Sequence, residues 1–342
     1  MSDRLLDRYD AVLLDLDGTV YRGTEAVPGA AGVVAEIRDS GTAVRFVTNN
    51  ASRSPEQVAD HLRELGVPTD LTEVCTSAQA AAAVLADRLP RDATVLVVGT
   101  NALVDEVRKV GLRPTAQAST DVVAVVQGLS QNVGWRELSE ACVAIRAGAL
   151  WVACNVDPTL PTERGQMIGN GALVAAVVTA TGATPVVAGK PSRPLLDQAA
   201  SSAEAKRPLV VGDRLDTDIA GAAAAELDSL LVLSGVTTPL DVLMAGPRQR
   251  PDYLAADLSG LRGRTGELAI AEQPGWTVEL DGRALRVRRT GTAGPDDSLS
   301  LLRALCAAHQ PDGDSAHAPE IVADDDTSSA ALAELRLGDR LA

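Results

Sequence analysis

Asp15-Leu16-Asp17-Gly18-Thr19 follows four apolar residues, Ala11 to Leu14, and sets two carboxylates two positions apart where a strand would end. Side chains at i and i+2 of an extended segment share a face, so both acids address one site, and Gly18 lets the chain turn sharply beside a ligand. Three more polar groups end apolar runs further along. Phe46-Val47 leads to Thr48-Asn49-Asn50, Val187 to Gly189-Lys190-Pro191, and Val210-Val211 to Gly212-Asp213-Arg214-Leu215-Asp216-Thr217-Asp218. Carboxylates, hydrogen-bond donors and one lysine suit acid–base work on a ligand held by hydrogen bonds. Taken singly, each has a plainer reading. Asp15 to Thr19 could form a capping loop, Asp216 and Asp218 could cap a helix starting near Thr217, and Lys190 could be a surface lysine.

The elements that must position these groups are short Val/Leu strands alternating with Ala-rich helices, the pattern of an α/β protein with a largely parallel sheet. Strands are expected at Ala11 to Asp15, Val44 to Thr48, Pro208 to Asp213 and Ser229 to Leu233. In open parallel sheets ligands bind at the carboxyl ends of strands, where the polar groups fall. Ser54, Pro55 and Gln57 open a helix with a capping box, Val58, Leu62 and Leu65 share its apolar face, and Gly66 ends it. Residues 91–183 carry a second strand set (Thr94 to Val98, Val122 to Gln127, Leu150 to Asn155) and read as an inserted α/β domain. Residues 1–90 and 184–262 form the doubly wound α/β core, and 263–342 a small α+β appendage. In the appendage, Trp276 to Leu280 and Ala284 to Arg289 flank a hairpin turn signalled by Asp281 and Gly282, and a helix over Ser298 to His309 follows.

The 342 residues carry 46 Asp plus Glu against 31 Lys plus Arg, a net charge of −15, which opposes binding to a nucleic-acid backbone. Aromatics make up 2%, too few for base-stacking platforms. Cys75, Cys142, Cys154 and Cys306 form no Cys-x-x-Cys pair and read as reduced core residues, and His61, His309 and His317 are too scattered for a histidine metal site. Without a secretory signal or a membrane-length apolar run, the expected location is the cytoplasm.

The four polar groups, in this order, resemble the motifs of the haloacid dehalogenase superfamily: Asp-x-Asp-x-Thr, a Thr or Ser, a Lys, and an acidic Gly-Asp-x-x-x-Thr-Asp segment. Only 29 positions separate Thr19 from Thr48, whereas 142 separate Thr48 from Lys190. That spacing resembles the branch with a large cap (type C2) after the second motif, which includes 4-nitrophenyl, phosphoglycolate and pyridoxal phosphate phosphatases. Asn155 to Gly165, Gly169-Asn170-Gly171 and the C-terminal Gln273-Pro274-Gly275-Trp276 are similar to the bacterial glycerol 3-phosphate phosphatases with an extra C-terminal domain. The resemblance implies hydrolysis of glycerol 3-phosphate, in recycling of glycerophospholipid breakdown products, or of another small phosphate ester. A phosphotransferase and a non-catalytic protein-binding module are the readings from other classes.

The resemblance also implies roles. Asp15 is the nucleophile. Asp15, the main-chain carbonyl of Asp17 and Asp213 are oxygen ligands for Mg²⁺, with Asp218 behind them. Thr48, Asn49, Asn50 and Lys190 hold the phosphate ester. Asp15, Asp213, Asp218 and a phosphate dianion bring five negative charges against three from Mg²⁺ and Lys190, which favours a protonated Asp17 as general acid.

Asn155 to Gly165 is either a Pro-stiffened turn or a specificity loop in which Arg164 meets a polar leaving group. Gly169-Asn170-Gly171 opens a helix and either holds an anion or permits close packing. Arg288 to Ala293 fits an acetyltransferase pyrophosphate loop by its letters, but Pro295, Asp296 and Asp297 follow, where acids would repel a coenzyme's phosphates. The appendage is therefore expected to be a partial, acetyltransferase-like fold. The expected partners are a small phosphate ester and, through the cap, a second copy of the chain, with no nucleic acid and no membrane.

Overall fold

A computed structural model describes residues 3–162, 164–282, 284–291, 297–311 and 318–338. The chain forms two compact units, one of residues 1–44 with 205–342 and the other of 45–204. Segment 45–90, which the sequence reading gives to the core, thus shares a unit with the expected cap, 91–183.

In the first unit four parallel strands lie in the order Tyr253–Ala255, Asp228–Val232, Pro208–Gly212, Ala11–Leu14. Every residue of Ala11–Leu14 and Pro208–Gly212 is buried, as expected of continuous apolar strands covered on both faces. Leu14 lies opposite Val211, so the residues that follow each strand emerge side by side at one edge of the sheet. The strand Ala43–Thr48 starts in this unit, where the Ala43 N–H donates to the Asp10 carbonyl at 3.0 Å. Helix Ala30–Asp39 and a small hairpin, Tyr21–Arg22 with Glu25–Ala26, fill the chain between.

The C-terminal segment is a three-stranded sheet with two helices, Asp297–Ala308 and Asp326–Glu334. Trp276–Asp281 runs antiparallel to Ala284–Arg289, which runs parallel to Glu320–Ala323. Asp281, expected in the turn, is the last paired residue and faces Ala284. The turn starts at Gly282, whose φ of +65° suits a hairpin that needs a left-handed residue. Among the described residues, this segment shares its core with the main sheet: Trp276, Leu285, Leu301, Leu305 and Leu332 join Leu231, Val242, Leu254, Leu215 and Ile219 in one buried cluster. The buried Arg303 donates from Nε to the Leu254 carbonyl at 2.9 Å, tying the helix to the last strand of the main sheet.

In the second unit, Ala43–Thr48 pairs in parallel with Val74–Thr76. A separate parallel sheet has the order Val186–Val187, Leu150–Ala153, Val122–Gln127, Thr94–Val98, Arg113–Thr115. Helices Trp135–Arg146 and Asn170–Thr181 pack Ile145, Val174 and Val177 in one buried cluster with Trp151 of the sheet. Helix Pro55–Glu64 begins with the anticipated capping box, with the Gln57 N–H on Ser54 Oγ at 3.3 Å and the Ser54 N–H on Gln57 Oε1 at 2.9 Å. Among the described residues, no helix is long and apolar enough to cross a membrane. All four cysteines are free thiols; Cys75, Cys154 and Cys306 are buried and Cys142 is partly exposed.

Candidate active site

Asp15 and Asp213 directly follow the neighbouring strands Ala11–Leu14 and Pro208–Gly212, and parallel pairing in register brings them together. The Asp15 N–H donates to the Val211 carbonyl at 2.8 Å, extending the ladder by one residue. Asp218 joins them from a turn of π-helix over Leu215–Ile219. One carboxylate oxygen from each of Asp15, Asp213 and Asp218 lies within 4.8 Å of the others. Asp213 and Asp218 are each 1% exposed and Asp15 is half-buried. Three converging carboxylates form a hard-oxygen donor set of the kind Mg²⁺ takes.

Small residues make room for the acids. A Cβ on Gly18 would fall on the Asp213 carboxylate, one on Gly235 would do the same, and one on Gly212 would fall on Asp218. Gly18 also has φ +86°, a conformation that L side chains avoid, and its N–H donates to the Tyr21 carbonyl at 2.7 Å to close the turn after Asp17. That turn leaves Asp17 exposed and its side chain outside the three-carboxylate group. Asp216, read from sequence as a helix cap, turns instead to the Arg214 guanidinium, at 3.0 Å from Nε and 2.7 Å from Nη2. Burial would raise the Asp216 carboxyl, but these bonds and the Arg214 charge hold it below its ordinary value.

The other motif residues lie in the second unit. Thr48 ends its strand, buried, and its Oγ1 accepts from the Asn50 N–H at 3.1 Å. Lys190 is 2% exposed, its ammonium donates to the Val47 carbonyl at 3.1 Å, and its peptide bond to Pro191 is cis. Asn49 was expected on the phosphate ester, but its side-chain amide bonds within the protein. Its Oδ1 accepts from the Lys190 N–H at 2.8 Å, and its Nδ2 donates to the Lys190 carbonyl at 2.9 Å and to Asp157 Oδ2 at 3.2 Å. The Asn49 carbonyl also accepts from Ser77 Oγ and from Asn155 Nδ2, both at 2.6 Å. Asn50 Oδ1 closes a turn by accepting from the Ser52 N–H and hydroxyl, both at 2.8 Å. Both asparagines brace the loop that carries Thr48.

Gly169-Asn170-Gly171 has a packing role. A Cβ on Gly171 would strike the Val156 carbonyl, and the Gly169 and Gly171 N–H groups already donate to Pro158 and Asp157 carbonyls at 2.9 and 2.8 Å. Arg164 sits exposed at the turn of the hairpin Thr159–Thr162/Gly165–Ile168; Glu163 lies outside the described residues. In the C-terminal segment Arg289 stacks 4.8 Å above the Trp276 ring and donates from Nε to the Gly291 carbonyl at 2.8 Å. Residues 292–296, which include the end of the Arg288 to Ala293 string, and His317 lie outside the described residues.

Sequence reasoning named Asp157 only as part of the loop Asn155 to Gly165, without its bond to Asn49, and missed the loop Ser234-Gly235-Val236-Thr237, which bears on Asp213. The signal available for that loop was a small-residue turn directly after the apolar strand Asp228–Val232.

The family model for haloacid dehalogenase-like hydrolases matches residues 12–113, and a second, HAD-hydrolase-like model matches 187–261. A model for a GCN5-related N-acetyltransferase-like domain matches 273–337. The chain is 50% identical over 308 residues to the D-glycerol 3-phosphate phosphatase of Mycobacterium tuberculosis, covering 89% of this chain and 86% of that protein. It is 37% identical over 231 residues to a 5'-nucleotidase of Bacillus subtilis, covering 67% of this chain and 89% of that protein. The crystal structure of the M. tuberculosis glycerol phosphate phosphatase in complex with magnesium superposes with TM-score 0.91 at 48% identity, over 98% of this chain and 99% of that one. A 4-nitrophenylphosphatase from Thermotoga maritima superposes with TM-score 0.70 at 29% identity, over 75% of this chain and 98% of that one. Adjacent strand ends bearing Asp15 and Asp213, and relatives that span nearly the whole chain, lead to one conclusion: this chain belongs to the haloacid dehalogenase-like hydrolases.

Proposed function

We propose that the chain is a Mg²⁺-dependent phosphomonoesterase that hydrolyses glycerol 3-phosphate to glycerol and phosphate through an aspartyl-phosphate on Asp15. The observation that carries this reading is the meeting of Asp15, Asp213 and Asp218 at one edge of the sheet. The substrate comes from the relative that is 50% identical and from its magnesium complex. Asp15, Asp213 and the Asp17 main-chain carbonyl would hold the ion, with Asp218 supporting them. Bound there, Mg²⁺ supplies positive charge against the phosphate ester and withdraws electron density from phosphorus.

An Asp15 carboxylate oxygen attacks phosphorus, and the P–O bond to glycerol breaks as Asp17 gives its proton to the departing oxygen. Water then attacks the aspartyl-phosphate and gives a proton to Asp17, and the bond from Asp15 to phosphorus breaks to release phosphate. Exposure of Asp17 suits a group that exchanges its proton with solvent. Thr48 and Lys190 are assigned to phosphoryl oxygens, with Asn49 and Asn50 bracing them. We retain residues 1–90 with 184–262 as core, 91–183 as cap and 263–342 as appendage. A cytoplasmic location, no nucleic-acid partner and a homodimer through the cap complete the reading. Trp135, 84% exposed, and Val143 two turns along the same helix support the dimer.

Relatives named as a 5'-nucleotidase and as acid sugar phosphatases, at 34–37% identity, support a second reading, a different small phosphate ester with the same chemistry. Phosphate release from a panel of small monoesters with Mg²⁺, run beside Asp15→Asn, tests both. Glycerol 3-phosphate should rank first, and Asp15→Asn should lose more than about 10³-fold while keeping its Tm. A poor rank for glycerol 3-phosphate refutes the substrate; activity in Asp15→Asn refutes the mechanism.

A further inference from the structure

We infer that the loop Ser234-Gly235-Val236-Thr237 clamps Asp213 in its metal-binding pose, with Ser234 and Thr237 as positioning residues; this rests on Asp213 being a metal ligand. A carboxylate just past a strand end has two free side-chain torsions and a mobile backbone, so its pose must come from neighbours. Three contacts from this loop supply it. The Val236 N–H donates to Asp213 Oδ2 at 2.8 Å, fixing one carboxylate oxygen. The Thr237 hydroxyl donates to the Asp213 carbonyl, fixing the backbone. Gly235 stands so close that any Cβ would fall inside the carboxylate, leaving the side chain no room to swing that way.

Gly18 forms a second wall, since a Cβ there would also meet the Asp213 carboxylate. The two walls are bolted together: Ser234 Oγ donates to the Gly18 carbonyl at 2.7 Å, and Arg22 of the small hairpin donates from Nε to the Ser234 carbonyl. Ser234 and Thr237 are both buried, so water does not readily replace these bonds. The loop therefore couples the turn after Asp15 to Asp213, and with it the spacing of the two acids. Partners that orient metal ligands typically change metal affinity by 10- to 100-fold when removed.

The test measures the rise of Tm with added Mg²⁺ in the absence of substrate, which yields an apparent Kd, for Ser234→Ala, Thr237→Val, Thr237→Ser and Asp213→Asn. Ser234→Ala and Thr237→Val should weaken Mg²⁺ about tenfold or more while the metal-free Tm stays close to wild type. Thr237→Ser, which keeps the hydroxyl, should restore the affinity, and Asp213→Asn should abolish the shift. Wild-type Kd in Ser234→Ala and Thr237→Val, with the shift lost in Asp213→Asn, overturns the clamp. So does a lowered metal-free Tm at unchanged Kd, which marks a merely structural loop. A wild-type shift in Asp213→Asn overturns the underlying metal-site reading instead.

Discussion

Replacing Gly189 by alanine adds one methyl group where the second unit has no room for it. A Cβ there lies 2.6 Å from Asn49 Oδ1 and 2.6 Å from the Cys154 carbonyl oxygen, whereas ordinary contact begins at 3.4 Å. The φ at Gly189 lies outside the left-handed range that L side chains avoid, so the argument is one of space. Cys154 cannot yield: its carbonyl accepts the Gly189 N–H and its own N–H donates to Gln127, both at 2.8 Å. The Asn49 amide must retreat by about 0.8 Å, which stretches its 2.8 Å bond from the Lys190 N–H beyond hydrogen-bonding length. An unsatisfied buried N–H costs about 1–3 kcal/mol, or roughly 4–8 °C of Tm for about 2 kcal/mol in a unit of this size. Asn49 braces Lys190 through two hydrogen bonds, and a misplacement of close to 1 Å passed on to Lys190 costs on the order of 10²-fold in rate. The assay is phosphate release from glycerol 3-phosphate for Gly189→Ala, Asn49→Ala and the double variant, with thermal unfolding followed by circular dichroism. Asn49→Ala removes one of the two contacts and leaves the one with the Cys154 carbonyl, so the double variant should lose more than Asn49→Ala but less than the sum of the two single losses. Wild-type kcat/KM in Gly189→Ala, or losses that simply add, would refute the reasoning.

Leu301→Ala, at a fully buried position of the shared cluster, should cost about 2–5 kcal/mol in urea unfolding, and the first unit should still melt in one transition; a separate early transition for the C-terminal segment would contradict the common core. Burial pushes the Cys154 and Cys306 thiols up to about 12, so native protein at pH 8 should be alkylated at Cys142 alone, with the other cysteines labelled only in denaturant, as peptide mass mapping would read. The Asp325 carboxyl, the N-cap of helix Asp326–Glu334, is held below its ordinary value by the N–H groups of Arg289 and Ser328, both at 2.8 Å. A carboxyl lowered by folding contributes stability in full above its unfolded pKa of about 3.9 and loses it as pH falls through the folded value. Asp325→Ala should therefore cost about 1 kcal/mol at pH 7, and the difference from wild type should shrink below about pH 4, as denaturant melts at each pH would show.

Much of this protein is local and was legible as such. Apolar runs ending in acids located the strand ends at Asp15 and Asp213 within a residue, and Ser54-Pro55-Gln57 marked a helix start, because strand burial and capping depend on neighbours a few positions away. The motif order and the long gap before Lys190 were enough to identify the family. What the letters could not show is which polar groups meet across long stretches of chain. Asn49 reads as a ligand until Lys190, 141 residues on, and Asp157, 108 residues on, take its amide. The loop at Ser234 looks like an ordinary turn until folding places Gly235 against Asp213. Nor does composition reveal that the C-terminal segment shares its core, since Leu301 and Leu305 are apolar whether they pack on their own sheet or on Leu254. Periodicity tells a side chain which way to face; only the closed chain supplies the partner it finds there.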